Sequence, residues 1–199
     1  MGNITMNLDY PDGATPLDPD EARGLLLSHI TDRSELDRWE QENIAEAEAW
    51  AFRRAPRDIL SDGFIKRLHK RMFGAVWRWA GAYRTTGKNI GVPTWQIAGE
   101  LRKLCADCAV WIEHGAYPPD GIAVRFHHRL TAIHPFPNGN GRHARLMTDI
   151  LLVHLLKQQR FSWGSGNLVN AGDCRQQYIN ALRAADRNEY KALLAFVRS

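Results

Sequence analysis

Between residues 34 and 50 the chain sets Leu36, Trp39, Asn43, Ala47 and Trp50 three or four residues apart, with acids between them. That period predicts an amphipathic helix, N-capped by Thr31 or Ser34 and ended by Pro56. Phe64, Leu68, Met72 and Phe73 predict a second helix running from Ser61 or Asp62 toward Trp77. Residues 83–95, YRTTGKNIGVPTW, leave the helical period, and their β-prone side chains with Gly87, Gly91 and Pro93 predict a short hairpin. Helices follow over 97–114 and 122–133, where Pro135 and Pro137 forbid continuation, then over 142–159, 173–185 and 189–197. The prediction is an all-α domain of seven or eight helices with one inserted β-hairpin. It spans residues 34–199, opens with an acidic helix at 34–55, and follows an extended arm, 1–33, whose first 20 residues are marked by Pro, Gly and Asp.

Charge changes this picture. Residues 1–50 hold 12 acids and 3 bases, a balance of −9, so the remaining chain carries +13 behind a modest total of +4. A split of that size points to an anionic partner for the basic part. Composition is otherwise ordinary for a globular chain, with 44% hydrophobic and 24% charged residues, which excludes wholesale disorder. The apolar run 150–156 is interrupted by His154 and falls well short of the ~20 residues of a membrane span. No basic start followed by an apolar run opens the chain, so a cytoplasmic location without membrane contact is expected.

Cys105, Cys108 and Cys174 are odd in number, which argues for reduced thiols. Cys105 and Cys108 fall in phase with Leu101, Leu104 and Ile112, so core packing is the expectation rather than a zinc or redox site. Packing or hydrogen bonding is likewise expected of His127 and His128. Most tryptophans should be core, with Trp95, at the hairpin end, free to touch a target. The basic residues of 51–78 read as a solvated face, so direct nucleic-acid binding is not expected.

The stretch HPFPNGNGRHAR, residues 134–145, carries the chemistry. A helix ends at His134, two prolines stiffen the turn, and Asn-Gly-Asn-Gly opens the next helix. Glycines at a helix N-terminus let backbone N–H groups approach an anion, and Arg142 and Arg145 share one face of the first turn. A base beside a phosphate clamp is the equipment of phosphoryl or nucleotidyl transfer. The formal G-x-G-x-x-A pattern lacks the preceding strand and following acid of a dinucleotide fold, and no Gly-Lys-Ser/Thr is present for a Walker loop.

These residues resemble the Fic (Fido) signature H-x-F-x-[D/E]-G-N-G-R-x-x-R at His134, Phe136, Gly139, Asn140, Gly141, Arg142 and Arg145. The resemblance extends through WAGAYRTT, FHHRLTAIHPF and YINALRAADRNEYKALLAF, and in detail the chain is similar to the mobile mystery protein B subfamily. It implies a nucleotidyltransferase, a protein adenylyltransferase that moves AMP from ATP to a Ser, Thr or Tyr hydroxyl of a target protein. His134 would be the general base. Gly139 to Gly141 would hold phosphate oxygens through backbone N–H groups, with the Asn140 amide added. Arg142 would bind the β/γ-phosphates and Arg145 would complete the clamp. Phe136 would anchor the loop. The hairpin would be a flap that aligns the target, bringing Ile90, Gly91, Val92 and Pro93 to nucleotide or target, and Tyr178 would lie near the adenine.

Asn138 stands where the family usually has the acidic Mg²⁺ ligand; an amide oxygen can still coordinate the ion, without formal charge. The resemblance also implies a small helix-turn-helix partner in a toxin–antitoxin-like arrangement. Many relatives carry an inhibitory helix, [S/T]-x-x-x-E-[G/N], whose Glu pairs with the second signature arginine. Glu42-Asn43 fits its end with Arg38 at the Ser/Thr position, while Thr31 and Glu35 fit its spacing with Leu36 following. Glu42 is thus the first inhibitory candidate, with Glu35 and Glu40 next. Two other readings stay open: transfer of another nucleotide or phosphocholine, and a non-catalytic nucleotide- or DNA-binding regulatory partner.

Overall fold

The protein is described from a computed structural model covering residues 17–30, 32–53, 55–166, 168 and 172–199. Among these residues eight helices follow in order: α1 (Pro19–Ala22), α2 (Arg33–Arg53), α3 (Asp62–Phe73), α4 (Ile97–Glu113), α5 (Pro119–Ile133), α6 (Asn140–Leu151), α7 (Asp173–Ala185) and α8 (Lys191–Val197). None of them is long and apolar enough to cross a membrane.

Local chemistry sets their ends. Ser61 caps α3 by accepting the Phe64 N–H at 3.0 Å, and α3 stops at Phe73, with Gly74 following, rather than reaching Trp77. Asp32 accepts the Glu35 N–H at 2.9 Å, so the α2 cap is Asp32 and not Ser34; Thr31 lies outside the described residues. Pro119 occupies the first turn of α5, where a missing N–H costs nothing, and the helix therefore starts three residues before Ile122. After Leu151 the chain widens to a π-helical turn, Leu152–Leu156, and His154 meets the Ala51 carbonyl at 3.0 Å.

Two clusters form the core. One joins α2, α3, α4 and the facing sides of α5 and α6 through Leu36, Phe64, Leu68, Leu101, Phe126 and Met147. The other packs α7 and α8 against α5 and the end of α6 through Val124, Leu152, Tyr178, Leu193 and Phe196. The antiparallel pair α5 and α6 belongs to both, so the loop joining them is held from two sides. Cys105 and Cys108 lie in the first cluster, where burial pushes their thiols up to about 11 and about 12.

Two expectations are corrected. Residues 17–30 are not simply extended: Asp18 and Glu21 close a capping box around α1, and Leu25 pairs antiparallel with Trp77. Among the described residues no strand forms over 83–95. The Arg84 N–H donates to Pro135 O at 2.9 Å and the Val92 N–H to Ile133 O at 3.3 Å, so both arms of the expected hairpin bond to the end of α5 instead of to each other. The Arg84 guanidinium lies between the arms and takes the Thr86 and Val92 carbonyls that a ladder would have used.

Candidate functional site

The site is built at the end of α5. His134 caps that helix in the left-handed region (φ 53°, ψ 61°), a conformation costing a non-glycine residue about 1 kcal/mol, and the tertiary contacts around it hold it there. Its carbonyl accepts Arg84 Nε at 2.6 Å. Burial, then the Arg84 charge, lowers the His134 imidazole to about 4, so the ring is neutral at pH 7.

The loop beyond it is braced from below. Asn140 closes a ring with Phe136, accepting the Phe136 N–H at 2.9 Å and donating to its carbonyl at 2.8 Å. The Asn140 oxygen and one of its two N–H groups are thereby engaged with the loop. His69 accepts the Gly81 N–H on Nδ1 (3.0 Å), so its proton is on Nε2, which donates to Asn138 O at 3.1 Å. The same ring stacks on Phe136 with centroids 3.7 Å apart. Gly139 (φ 75°) begins α6 directly over Phe73, where an added Cβ would fall 2.6 Å from Cζ. Asn138 turns its Oδ1 onto the Gly139 N–H at 2.7 Å. Among the described residues no group of three His, Cys, Asp or Glu side chains converges on a metal position. With no carboxylate in the loop, these donors do not make a protein-held Mg²⁺ site.

The two arginines of α6 differ. Arg142 lies over the Phe73 ring and pairs with Glu40, whose other oxygen accepts Trp77 Nε1 at 2.5 Å. Among the described residues no carboxylate lies within ion-pair distance of Arg145, whose guanidinium rests over the Tyr178 ring, 5.8 Å from its centroid. A neutral base, a helix opening on loop N–H groups and two cations thus converge within twelve residues.

Residues 59–152 match the Fic/DOC family. The chain carries a Fic/DOC domain. It is 27% identical over 137 residues to protein adenylyltransferase Fic of Drosophila grimshawi, covering 67% of this chain and 27% of that one. Identity to the Drosophila virilis protein of the same name is 32% over 137 residues, again 67% and 27%. The chain thus spans about a quarter of the length of these relatives. Among solved structures, the N-terminal Fic domain of a VirB-translocated Bep effector from Bartonella quintana with bound ADP superposes with a TM-score of 0.67. Its identity is 16%, with 89% of this chain and 94% of that chain covered, and this shows the shared fold.

The other expected site residues are distributed unevenly. Gly91 (φ 117°) comes against His134: an added Cβ would lie 2.9 Å from His134 Cβ and 2.5 Å from Arg84 Nη2. Ile90, Gly91 and Pro93 are exposed and Val92 is half-buried, while Trp95 is 81% exposed. Gly141 is half-buried in the first turn of α6. Tyr178 is corrected: it is buried behind Arg145, with its hydroxyl 2.7 Å from His127 Nε2, and does not offer an open face to a base. Glu42 is exposed and Glu35 lies 3.9 Å from His29, so of the three acids only Glu40 reaches the clamp.

Sequence reasoning missed Arg84 and His69. Arg84 left no local signal for its place in the site, since the carbonyls it takes there, of His134 and Ile133, lie about 50 residues away. His69 did: it falls in phase with Ile65, Leu68 and Met72 on the buried face of α3, and a polar residue there needs a distant partner. Glu40 could have been preferred on the same ground. It is four residues after Leu36 and seven before Ala47, both buried, whereas Glu42 is not on that face.

Proposed function

We propose that this chain is a protein adenylyltransferase that transfers AMP from ATP to a Ser, Thr or Tyr hydroxyl of a target protein. The observation carrying it is the buried, neutral His134 beside the N-terminus of α6 and its two arginines; the adenylyltransferase names of the relatives and the ADP bound by the Bartonella neighbour support it. In the proposed step the target hydroxyl oxygen attacks the α-phosphorus and its proton passes to His134. The bond to the bridging oxygen breaks, and pyrophosphate leaves with that electron pair. The backbone N–H groups of Asn140 and Gly141 would hold the phosphates, the Gly139 N–H being taken by Asn138 Oδ1, and Arg145 and Arg142 would neutralise the charge that builds on the leaving group. The segment 90–93, beside His134, would align the target.

ATP is proposed to arrive as its Mg²⁺ complex, with no ligand taken from the loop, where Asn138 Oδ1 accepts the Gly139 N–H. The Glu40–Arg142 pair is read as an internal competitor for the terminal phosphates, on the first signature arginine rather than the second. The finer assignments rest on the signature resemblance: the mobile mystery protein B subfamily, a small helix-turn-helix partner and a toxin–antitoxin-like arrangement. Incubation with ATP labelled at the α-phosphate, with unlabelled nucleotides competing, tests the core of the reading. Label should pass to a protein, or to the chain itself, and His134→Ala should abolish it. No transfer by the wild type or by Glu40→Gly from any nucleotide offered would overturn it.

A further inference from the structure

In the turn between His134 and α6, one peptide decides whether an anion meets N–H groups or a carbonyl. His69, fully buried on α3, accepts the Gly81 N–H on Nδ1 at 3.0 Å and lies with Nε2 3.1 Å from Asn138 O. A backbone N–H can only donate and a carbonyl can only accept, so the proton of the neutral ring is on Nε2 and the bridge runs one way. Burial, above all, holds this imidazole well below its usual range, which keeps it neutral. The ring also stacks on Phe136, so it touches the turn at two residues. The peptide joining Asn138 to Gly139 is trans, and its carbonyl and N–H point to opposite sides. With the carbonyl drawn inward to His69, the Gly139 N–H is turned outward, where Asn138 Oδ1 takes it at 2.7 Å. A flip of this peptide changes ψ at Asn138 and φ at Gly139, and glycine accepts either sign of φ, so the backbone itself does little to prevent it. Once flipped, the Asn138 carbonyl would set a partial negative charge beside bound phosphates.

We propose that His69 is a positioning residue for the nucleotide: its Nε2–H holds the Asn138 carbonyl inward and so keeps the opening of α6 in the orientation that offers N–H groups to the phosphate chain. Its other partner, Gly81, lies three residues before Arg84, whose guanidinium holds the His134 carbonyl. One ring therefore sets the phosphate loop against the support of the base. Bound ATP favours the unflipped peptide, so saturating nucleotide restores it, and loss of the His69 bond falls on binding rather than on the chemical step. The inference rests on the nucleotide-transfer reading of the site and deepens it.

The test uses the full chain and ATP as probe. His69→Gln places an amide N–H near the position of Nε2 and keeps the bond to Asn138, whereas His69→Asn places an amide oxygen near Nδ1 and keeps only the bond to Gly81. Both lose the stack on Phe136, so urea unfolding should show similar destabilisation. ATP affinity should separate them: within about threefold of the wild type for His69→Gln and about tenfold weaker for His69→Asn, the worth of one hydrogen bond. In transfer assays the loss should appear in KM for ATP, with kcat within about twofold and the pH profile unmoved. The ¹⁵N shifts of the wild type should report a neutral His69 ring protonated at Nε2, with and without ATP. An Nδ1-protonated or charged ring, equal ATP affinities for His69→Gln and His69→Asn, or a loss confined to kcat would each overturn the proposal. The ring shifts keep the test decisive if neither variant folds. A wild type that binds ATP but transfers no AMP overturns the adenylyltransferase reading, while the two affinities still decide this one.

Discussion

His134 combines three constraints that one substitution cannot satisfy together: left-handed backbone, a carbonyl committed to Arg84, and a ring kept neutral by burial. Its imidazole is lowered to about 4, so the base is already deprotonated far below neutrality. The kcat/KM for transfer, which reports the free enzyme, should accordingly show no titration of this group between pH 8 and pH 6. A falling limb centred near the ordinary histidine value of about 6.5 would mean that the ring is solvated in the free protein. Gly139 is equally constrained. Gly139→Ala meets both a positive φ and the Phe73 ring, and should destabilise the domain by about 2 kcal/mol or more in urea unfolding, with loss of nucleotide binding.

Elements act on the site in pairs. The helix α2 brings Glu40 to Arg142, a pair in which the acid is buried and the arginine is 19% exposed. Glu40→Gln should keep the Trp77 contact and release Arg142, raising ATP affinity several-fold while lowering stability by about 1–3 kcal/mol, less than a fully buried pair because water reaches the arginine. Isothermal titration with ATP beside a urea melt measures both. A second pairing joins α1 to the segment before Gly91. Lys88, 3% exposed, reaches Asp18 at 3.0 Å and Glu21 at 2.5 Å, and Thr86 donates to Asp18 at 2.6 Å. These contacts substitute for the missing hairpin ladder. Lys88→Met should therefore speed amide hydrogen exchange across residues 84–93 at least tenfold while leaving α5 and α6 protected. Unchanged exchange would show that the Arg84 bonds alone hold the segment.

Across the whole molecule, burial of neutral histidines sets the acid stability. His69, His127, His134 and His143 are all buried, with the first well below its usual range and the others lowered to about 3, 4 and 4. Each binds a proton in the unfolded chain below about pH 6.5 but not in the folded one, so the unfolded state holds more protons there and stability rises with pH. Stability is thus fully present above about 6.5 and is lost as pH falls toward 4, at about 1.4 kcal/mol per pH unit for each ring. Urea midpoints between pH 7 and 4.5 should fall steeply, and replacing His143 by Gln should make the slope shallower.

Periodicity by itself placed the main helices, because an amphipathic face repeats within a few residues whatever it packs against. The signature loop was equally legible: His134, the glycines and both arginines lie within twelve residues, and their chemistry follows from local spacing. What only the tertiary structure decided are the contacts that join distant parts of the chain. Arg84 reaches His134 across 50 residues, His127 reaches Tyr178 across 51, His69 reaches Asn138 across 69 and Glu40 reaches Arg142 across 102. The expected hairpin failed for the same reason, since strands form where their carbonyls find N–H partners, and here a guanidinium and the end of α5 took them first. Composition already carried the acidic segment opposite a basic body, but which of its carboxylates meets a cation depended on the helical phase of α2 and on the packing of Trp77 beside it.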